Sequence, residues 1–470
     1  MNPATGDSMR AHPTTDAPMT TTATNATVSS SAPSDVAFAE ALRFWFKLGF
    51  VSFGGPAGQI AIMHAELVER RRWISEHRFL HALNYCMVLP GPEAQQLATY
   101  IGWLLHKTPG ALAAGGLFVL PSLLLLIALS WLYMALGTQP LVAGVLWAIK
   151  PAVTAIVLHA AWRIGSRTLR NKWLFAIAIA AFVAIFALDV PFPAIIAGAA
   201  LLGALGNRIA PAHFALGGKH DVAGKEFGPA LIDDHTPPPA HALFSRGRLA
   251  RALTIGVSIW LIAMAALLTV FGWYTPYSWM AWFFTKAALL TFGGAYAVLP
   301  YVYQGAVEQY GWLSGTQMID GLALGETTPG PLIMVVAFVG FVGGWQQRAL
   351  GANALALAGI VGATVVTLFT FLPSFVFVLA GAPFIESTRH SLRLSAPLTA
   401  ITAAVVGVIV NLALFFAYHV LWPHGFGGGF EWASAAIGLF AVAALFRFRA
   451  GVIPLIGACA TLGLVRGTLL

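Results

Sequence analysis

Two carboxylates stand beside two identical tripeptides. Glu93 directly follows Pro90-Gly91-Pro92, and Glu326 lies three residues before Pro329-Gly330-Pro331. Upstream of each lies a second shared motif, Phe53-Gly54-Gly55 and Phe292-Gly293-Gly294. Gly and Pro interrupt helices, and an interrupted helix frees backbone N–H and C=O groups. A half-helix beginning near Pro92 or Pro331 would aim its N-terminal N–H groups, the positive end of its dipole, at an anion. Lys47 and Lys286, each six residues before Phe-Gly-Gly, could add fixed positive charge, although a lone lysine also snorkels to an interface. Gln59 and Gln96 are neutral donors for an oxyanion, with Gln95 as the alternative to Gln96, since one of the two must face away. Glu93 and Glu326 could exchange protons and couple ion movement to a gradient, or could serve as an ion-pair partner or a helix cap.

Catalytic chemistry finds no such footing. His64-Ala65-Glu66-Leu67-Val68-Glu69 is not H-E-x-x-H, no Cys/His cluster has metal-ligand spacing, and no phosphate-binding G-x-x-x-x-G-K-[ST] occurs. We therefore expect no enzyme, no catalytic residues, no metal and no cofactor, and no ATP-driven motor. Cys86 and Cys459 lie within apolar runs and read as small hydrophobes.

The elements that must position these residues are membrane helices. The chain is 58% hydrophobic and 9% charged, against about 25% charged in soluble domains. Apolar runs of about 20 residues recur, the length that crosses a hydrocarbon core. Continuous runs rather than alternation exclude a β-barrel. The fold class is all-α polytopic, with about thirteen transmembrane segments. Candidate spans are 36–55, 80–104, 110–137, 141–162, 172–188, 191–206, 251–273, 278–300, 318–344, 350–381, 396–421, 431–446 and 451–468. Residues 1–35, rich in Thr, Ser and Ala, form a disordered tail. Then come a first half (36–206), a polar cytoplasmic linker (207–250), a connecting helix (251–273) and a second half (274–470). The net charge of +8 reflects loop Lys and Arg rather than a nucleic-acid partner. Their distribution places the N-terminus in the cytoplasm and the C-terminus outside. One loop disagrees: thirteen full crossings put 56–79, with Arg70, Arg71, Arg72 and Arg78, on the outer face. Otherwise a neighbouring segment enters the membrane and returns.

The motifs belong to an internal repeat. At an offset of 239 residues, 13 of the 49 positions from Phe44 to Pro92 are identical, where this composition gives about 4 by chance. Among them are Lys47/Lys286, Trp73/Trp312 and Ser75/Ser314, and further on Pro121-Ser122 matches Pro373-Ser374. Span parity predicts an inverted repeat with broken helices at both motifs, the architecture of many secondary transporters. A parallel duplication is the plainer alternative.

"FGGPAGQIAIMHAELVERRRWI", "LPGPEAQQLATYIG", "TFGGAYAVLPYV" and "TTPGPL" together resemble the chromate ion transporter (CHR) family, in its long two-domain form, over essentially all of 36–470. The resemblance implies an inner-membrane protein of a bacterium or archaeon that exports chromate, confers resistance, uses the membrane gradient and has sulfate as competitor or alternative substrate. The expected partners are the oxyanion, protons and lipid, and a homo-oligomer is compatible with the small residues in many spans. In the second half Pro56 becomes Ala295 and Gln59 becomes Val298, so the two half-sites should differ. A sulfate importer or exchanger and a passive anion channel are the competing readings.

Overall fold

A computed structural model describes residues 35–469, apart from Gly54, 215–226, 235, 238 and 388–394. The expected tail lies outside the described residues, as does Gly54 of the first motif. Among the described residues the chain is helical, its one β-bridge joining Ile74 to Ile232. The helices are α1 (Phe38–Val51), α2 (Gly55–His64), α3 (Glu76–Val88), α4 (Glu93–Leu136), α5 (Pro140–Thr168), α6 (Lys172–Leu188), α7 (Phe192–Ile209) and the short α8 (Pro211–Phe214). Past the linker come α9 (Arg246–Phe271), α10 (Pro276–Leu290), α11 (Ala295–Tyr303), α12 (Gly315–Thr327), α13 (Val335–Gln346), α14 (Leu355–Ser387), α15 (Ser395–Leu421), α16 (Trp432–Phe446) and α17 (Val452–Leu469). Seven are long and apolar enough to cross a bilayer: α4, α5, α7, α9, α14, α15 and α17; α6, α16 and the stretch Leu332–Gln346 are shorter apolar helices.

Four of the expected spans are not continuous helices. Segments 36–55 and 278–300 break at Phe-Gly-Gly, and 80–104 and 318–344 break at Pro-Gly-Pro, leaving pieces of 9 to 15 residues on most sides of the breaks. At 1.5 Å rise per residue such pieces reach only part of the way across a core of about 30 Å. The long α4 is itself a hairpin. His106 and Lys107 have non-helical backbone angles, and a Cβ on Gly102 would meet the carbonyl of Gly110. Its limbs therefore fold back on each other, touching through glycine, and α13 and α14 meet in the same way at Gly340 and Gly362.

The repeat reappears element by element. α3 and α12 span equivalent residues, as do the π-helical turns Ala65–Arg70 and Gln304–Gln309. The repeated identities have structural causes. Ser75 and Ser314 cap α3 and α12, their hydroxyls accepting from the N–H of Arg78 and Gln317 at 3.2 Å. Trp73 and Trp312 are buried, and their N–H groups close the π turns onto Leu67 and Ala306 carbonyls at 2.8 Å. The halves interleave: α4 packs on α14, α5 on α15, α16 and α17, and α15 on α6 and α7.

End-to-end contacts fix which elements share a face. The linker returns to the arginine loop: Leu231 and Ile232 N–H donate to the Arg72 and Trp73 carbonyls, and Ser75 N–H donates to Ile232 at 3.0 Å. His106 bonds Val36 O at 2.8 Å, His241 bonds Trp103 O at 2.9 Å, and His64 meets Glu76. The start of α1, the end of α2, the start of α3, the turn of α4 and the linker thus lie at one end of the molecule. Loop 56–79 and the linker share one end, which thirteen full crossings do not allow and a neighbouring segment that enters and returns does. The physical reason is the pair of broken helices on either side of the loop, whose two limbs start and finish at the same end.

Candidate functional site

Deep in the protein the four breaks meet. Gly91 N–H donates to the Thr291 carbonyl and Gly330 N–H donates to the Ser52 carbonyl, both at 2.8 Å. Gly330 is the repeat equivalent of Gly91, and Thr291 that of Ser52. Each Pro-Gly-Pro is therefore stitched to the end of the helix before the opposite Phe-Gly-Gly, a reciprocal pattern characteristic of a two-fold relation. Ser52 and Thr291 finish α1 and α10 alike, each hydroxyl donating to the carbonyl four residues back at 2.6 Å. Gly91 and Gly330 have φ of +132° and +101°, which disfavours any side chain. Each also lacks room for one: a Cβ at Gly330 would lie 2.7 Å from the Ser122 Cβ, and one at Gly91 would meet Gln96 Nε2 at 2.5 Å and Ser374 Oγ.

Every limb that ends here brings carbonyls, and every limb that begins here brings N–H groups. α1, α3, α10 and α12 end at the breaks, whereas α2, α4, α11 and the helical stretch from Leu332 begin at them. Several of the carbonyls are occupied. Gln96 Nε2 donates to Pro90 O at 2.8 Å, and Gln59 Nε2 donates to Gly330 O, with Ser52 O at 3.4 Å. First-turn N–H groups have no acceptor within their own helix. Four helix N-termini and four C-termini converge at the crossing, and side-chain amides already occupy the Pro90, Gly330 and Ser52 carbonyls.

The structure brings together most of the residues expected from sequence. Gln59, Gly91, Pro92, Gln96, Gly294, Pro329, Gly330 and Pro331 are buried, and Phe53, Gly55, Pro56, Pro90, Phe292 and Gly293 are half-buried. Glu93 begins α4 with its carboxylate facing Gly294. Buried Glu326 accepts from the Tyr296 hydroxyl. Gln59 bridges the halves where Val298 cannot, so the half-sites differ. The lysines stand apart: Lys47 is exposed on α1, and Lys286 is half-buried with its ammonium 5.8 Å from the Trp282 ring centre. Sequence reasoning missed Ser52, Thr291, Tyr296, Ser122 and Ser374, although the matching Pro-Ser pairs were visible in the repeat.

Two ion pairs flank the crossing, one buried at both partners and one half-buried at its lysine. Towards the linker, Arg78 of α3 pairs with Glu386 of α14 at 2.8 Å, the Tyr100 hydroxyl donates to the same carboxylate at 2.5 Å, and Arg78 also reaches Thr236 O at 2.9 Å. Beside it His241 carries a lowered pKa, from burial and then from Lys107 and Arg248, against the raising effect of its bond to Trp103. Towards the other end, Lys150 of α5 lies 3.4 Å from Asp320 of α12, whose second oxygen accepts from Tyr133 at 3.0 Å. Each pair joins the first half to the second.

Comparison with known proteins places this arrangement. The chromate transporter family model matches residues 39–204 and 278–464, leaving the linker and α9 between the two matched segments. A chromate transport protein of Pseudomonas aeruginosa is 33% identical over 390 residues, 82% of each chain. One from Cupriavidus metallidurans is 27% identical over 91% of this chain and 93% of its own. The uncharacterized transporter YwrA of Bacillus subtilis is 30% identical over 136 residues, which is 29% of this chain but 76% of that one. No solved structure matches the chain. With both copies of the motif pair inside the matched segments, the chain belongs to the chromate transporter family and is a multi-pass membrane protein.

Proposed function

We propose that this protein is a secondary transporter that exports chromate across the inner membrane of a bacterium or archaeon and so confers chromate resistance. The observation that supports this most is the reciprocal crossing of Gly91 and Gly330 with Thr291 and Ser52, where four helix N-termini converge on one buried place. Such a place suits an acceptor-only ligand, and a tetrahedral oxyanion is one. The names of the Pseudomonas and Cupriavidus relatives point to chromate among such ions.

The end-to-end contacts support an inverted topology. In it α1 with α2, and α3 with the first limb of α4, enter from the linker end and return. α10 with α11, and α12 with α13, do the same from the other end. The second limb of α4, α5 to α7, α9 and α14 to α17 make the full crossings. The linker end carries Arg70, Arg71, Arg72, Arg246, Arg248 and Arg251, so the positive-inside rule makes it cytoplasmic. The N-terminus is then cytoplasmic and the C-terminus external.

The two ion pairs support alternating access. Arg78–Glu386 closes the cytoplasmic approach and Lys150–Asp320 the external one, and transport opens them one at a time. A pore open at both ends, as a channel needs, is at odds with two closed pairs. Glu93 and Glu326 share the crossing with the substrate. A dianion and two carboxylates repel one another, so a compensating proton couples the movements of ion and proton.

Reconstitution into liposomes with imposed proton and anion gradients tests all of this. Saturable chromate flux that responds to the proton gradient is expected. Sulfate flux without chromate flux would replace the substrate, and ohmic currents would replace the mechanism.

A further inference from the structure

Ser122 and Ser374 are equivalent in the repeat, each directly after a proline within a long helix, and they are 0% and 1% exposed. Serine in an apolar helix ordinarily turns its hydroxyl to a carbonyl of the preceding turn. Thr99, Thr285 and Thr370 do so here at 2.7 to 2.8 Å. Neither serine does: both Oγ atoms are buried without a hydrogen-bond partner. A buried hydroxyl left unpaired is costly, and such groups in native proteins await water, an ion or a ligand. Their placement tells which. Ser122 Oγ lies 3.1 Å from where a Cβ of Gly330 would be, and Ser374 Oγ lies against the same position of Gly91. Each hydroxyl thus faces the Pro-Gly-Pro of the opposite half, where the helix N-termini gather.

Resting on the oxyanion reading above, we propose that Ser122 and Ser374 are the paired hydroxyl donors that bind the oxyanion, one in each half-site, and that they set its discrimination. The Gly91 and Gly330 N–H groups are engaged by Thr291 and Ser52, so it is the first-turn N–H groups of the helices that follow each tripeptide that address the oxyanion together with the hydroxyls. A hydroxyl can donate to one oxygen and adapt by rotation. It therefore reports the spacing of oxygens around the central atom, the property in which chromate and sulfate differ.

The test uses the full-length protein in proteoliposomes, with radiolabelled chromate and sulfate as probes and Ser122→Ala, Ser374→Ala and the double variant. Losing one donor raises KM for chromate by about tenfold, with a larger rise in the double variant and a changed chromate-to-sulfate ratio. Because the hydroxyls make no internal hydrogen bond, the melting midpoint of each variant without substrate should equal or exceed the parent's. Unchanged KM in the double variant, with the parent active, overturns the serine assignment and leaves the transport reading standing. A lowered midpoint with unchanged KM shows a structural role and overturns it equally. A parent protein that moves no tetrahedral oxyanion overturns both.

Discussion

Glu93 and Glu326 sit where helix N-termini meet, although they are not repeat equivalents. Glu93 occupies the first turn of α4, and Glu326 holds its place through Tyr296. If they carry the compensating proton, Glu93→Gln and Glu326→Gln remove titrating groups without changing shape. Chromate flux measured against pH should then lose the limb that rises as the carboxylate takes up its proton. A profile identical to the parent's in both variants would free them of that role. The glycines of the crossing make a second prediction. Ala at Gly91 or Gly330 meets both a positive φ and occupied space, so each should cost more than about 1 kcal/mol. Gly116, whose Cβ direction is open, is the control: Gly116→Ala should leave the melting midpoint in detergent within error of the parent.

At the scale of elements, the broken helices need partners, because a half-helix ending inside a membrane leaves polar groups that lipid cannot satisfy. The halves supply those partners to each other. The linker adds a further fastening, through Arg78, Thr236 and Glu386. Removing one member of a buried pair strands the other charge, at roughly 3–5 kcal/mol, whereas replacing both with apolar residues is often nearly neutral. Arg78→Met alone should therefore lower thermal stability strongly, and adding Glu386→Met should restore much of it. If these residues form the cytoplasmic closure, the double variant should also shift the protein towards the inward-open state. Faster modification of a cysteine placed at Ser374, from the cytoplasmic side, would show it.

For the whole molecule, the arrangement predicts sidedness. Cysteines introduced at Arg71 and Ser245 should react with an impermeant thiol reagent from the same face, and those at Gly311 and Gly427 from the other. The native Cys86 and Cys459 are buried and should contribute little background. Labelling of positions 71 and 245 from opposite faces would reject the inverted topology and reinstate thirteen full crossings. The Arg70-Arg71-Arg72 run then again becomes an exception to the charge rule. Under the topology proposed above it would obey that rule, with α1 and α2 turning back before the far side.

The membrane class, the two motif pairs and their repetition were legible in the sequence. Apolar run length and residue identity at a fixed offset are one-dimensional properties, and the bilayer's demand for satisfied backbone leaves helices as the outcome. The candidate site is legible as motifs, which point to Gln59, Gly91, Gln96 and Gly330. Tertiary structure alone decided that Gly91 bonds Thr291 and Gly330 bonds Ser52, that Lys47 faces outward, and that Arg78 finds Glu386 across 308 residues of chain. A hydropathy window sees how apolar a segment is but not whether it turns back at a glycine. It therefore counts two half-helices as one continuous span, and only the contacts at the ends of α1, α2, α3 and α4 show that their outer ends lie together.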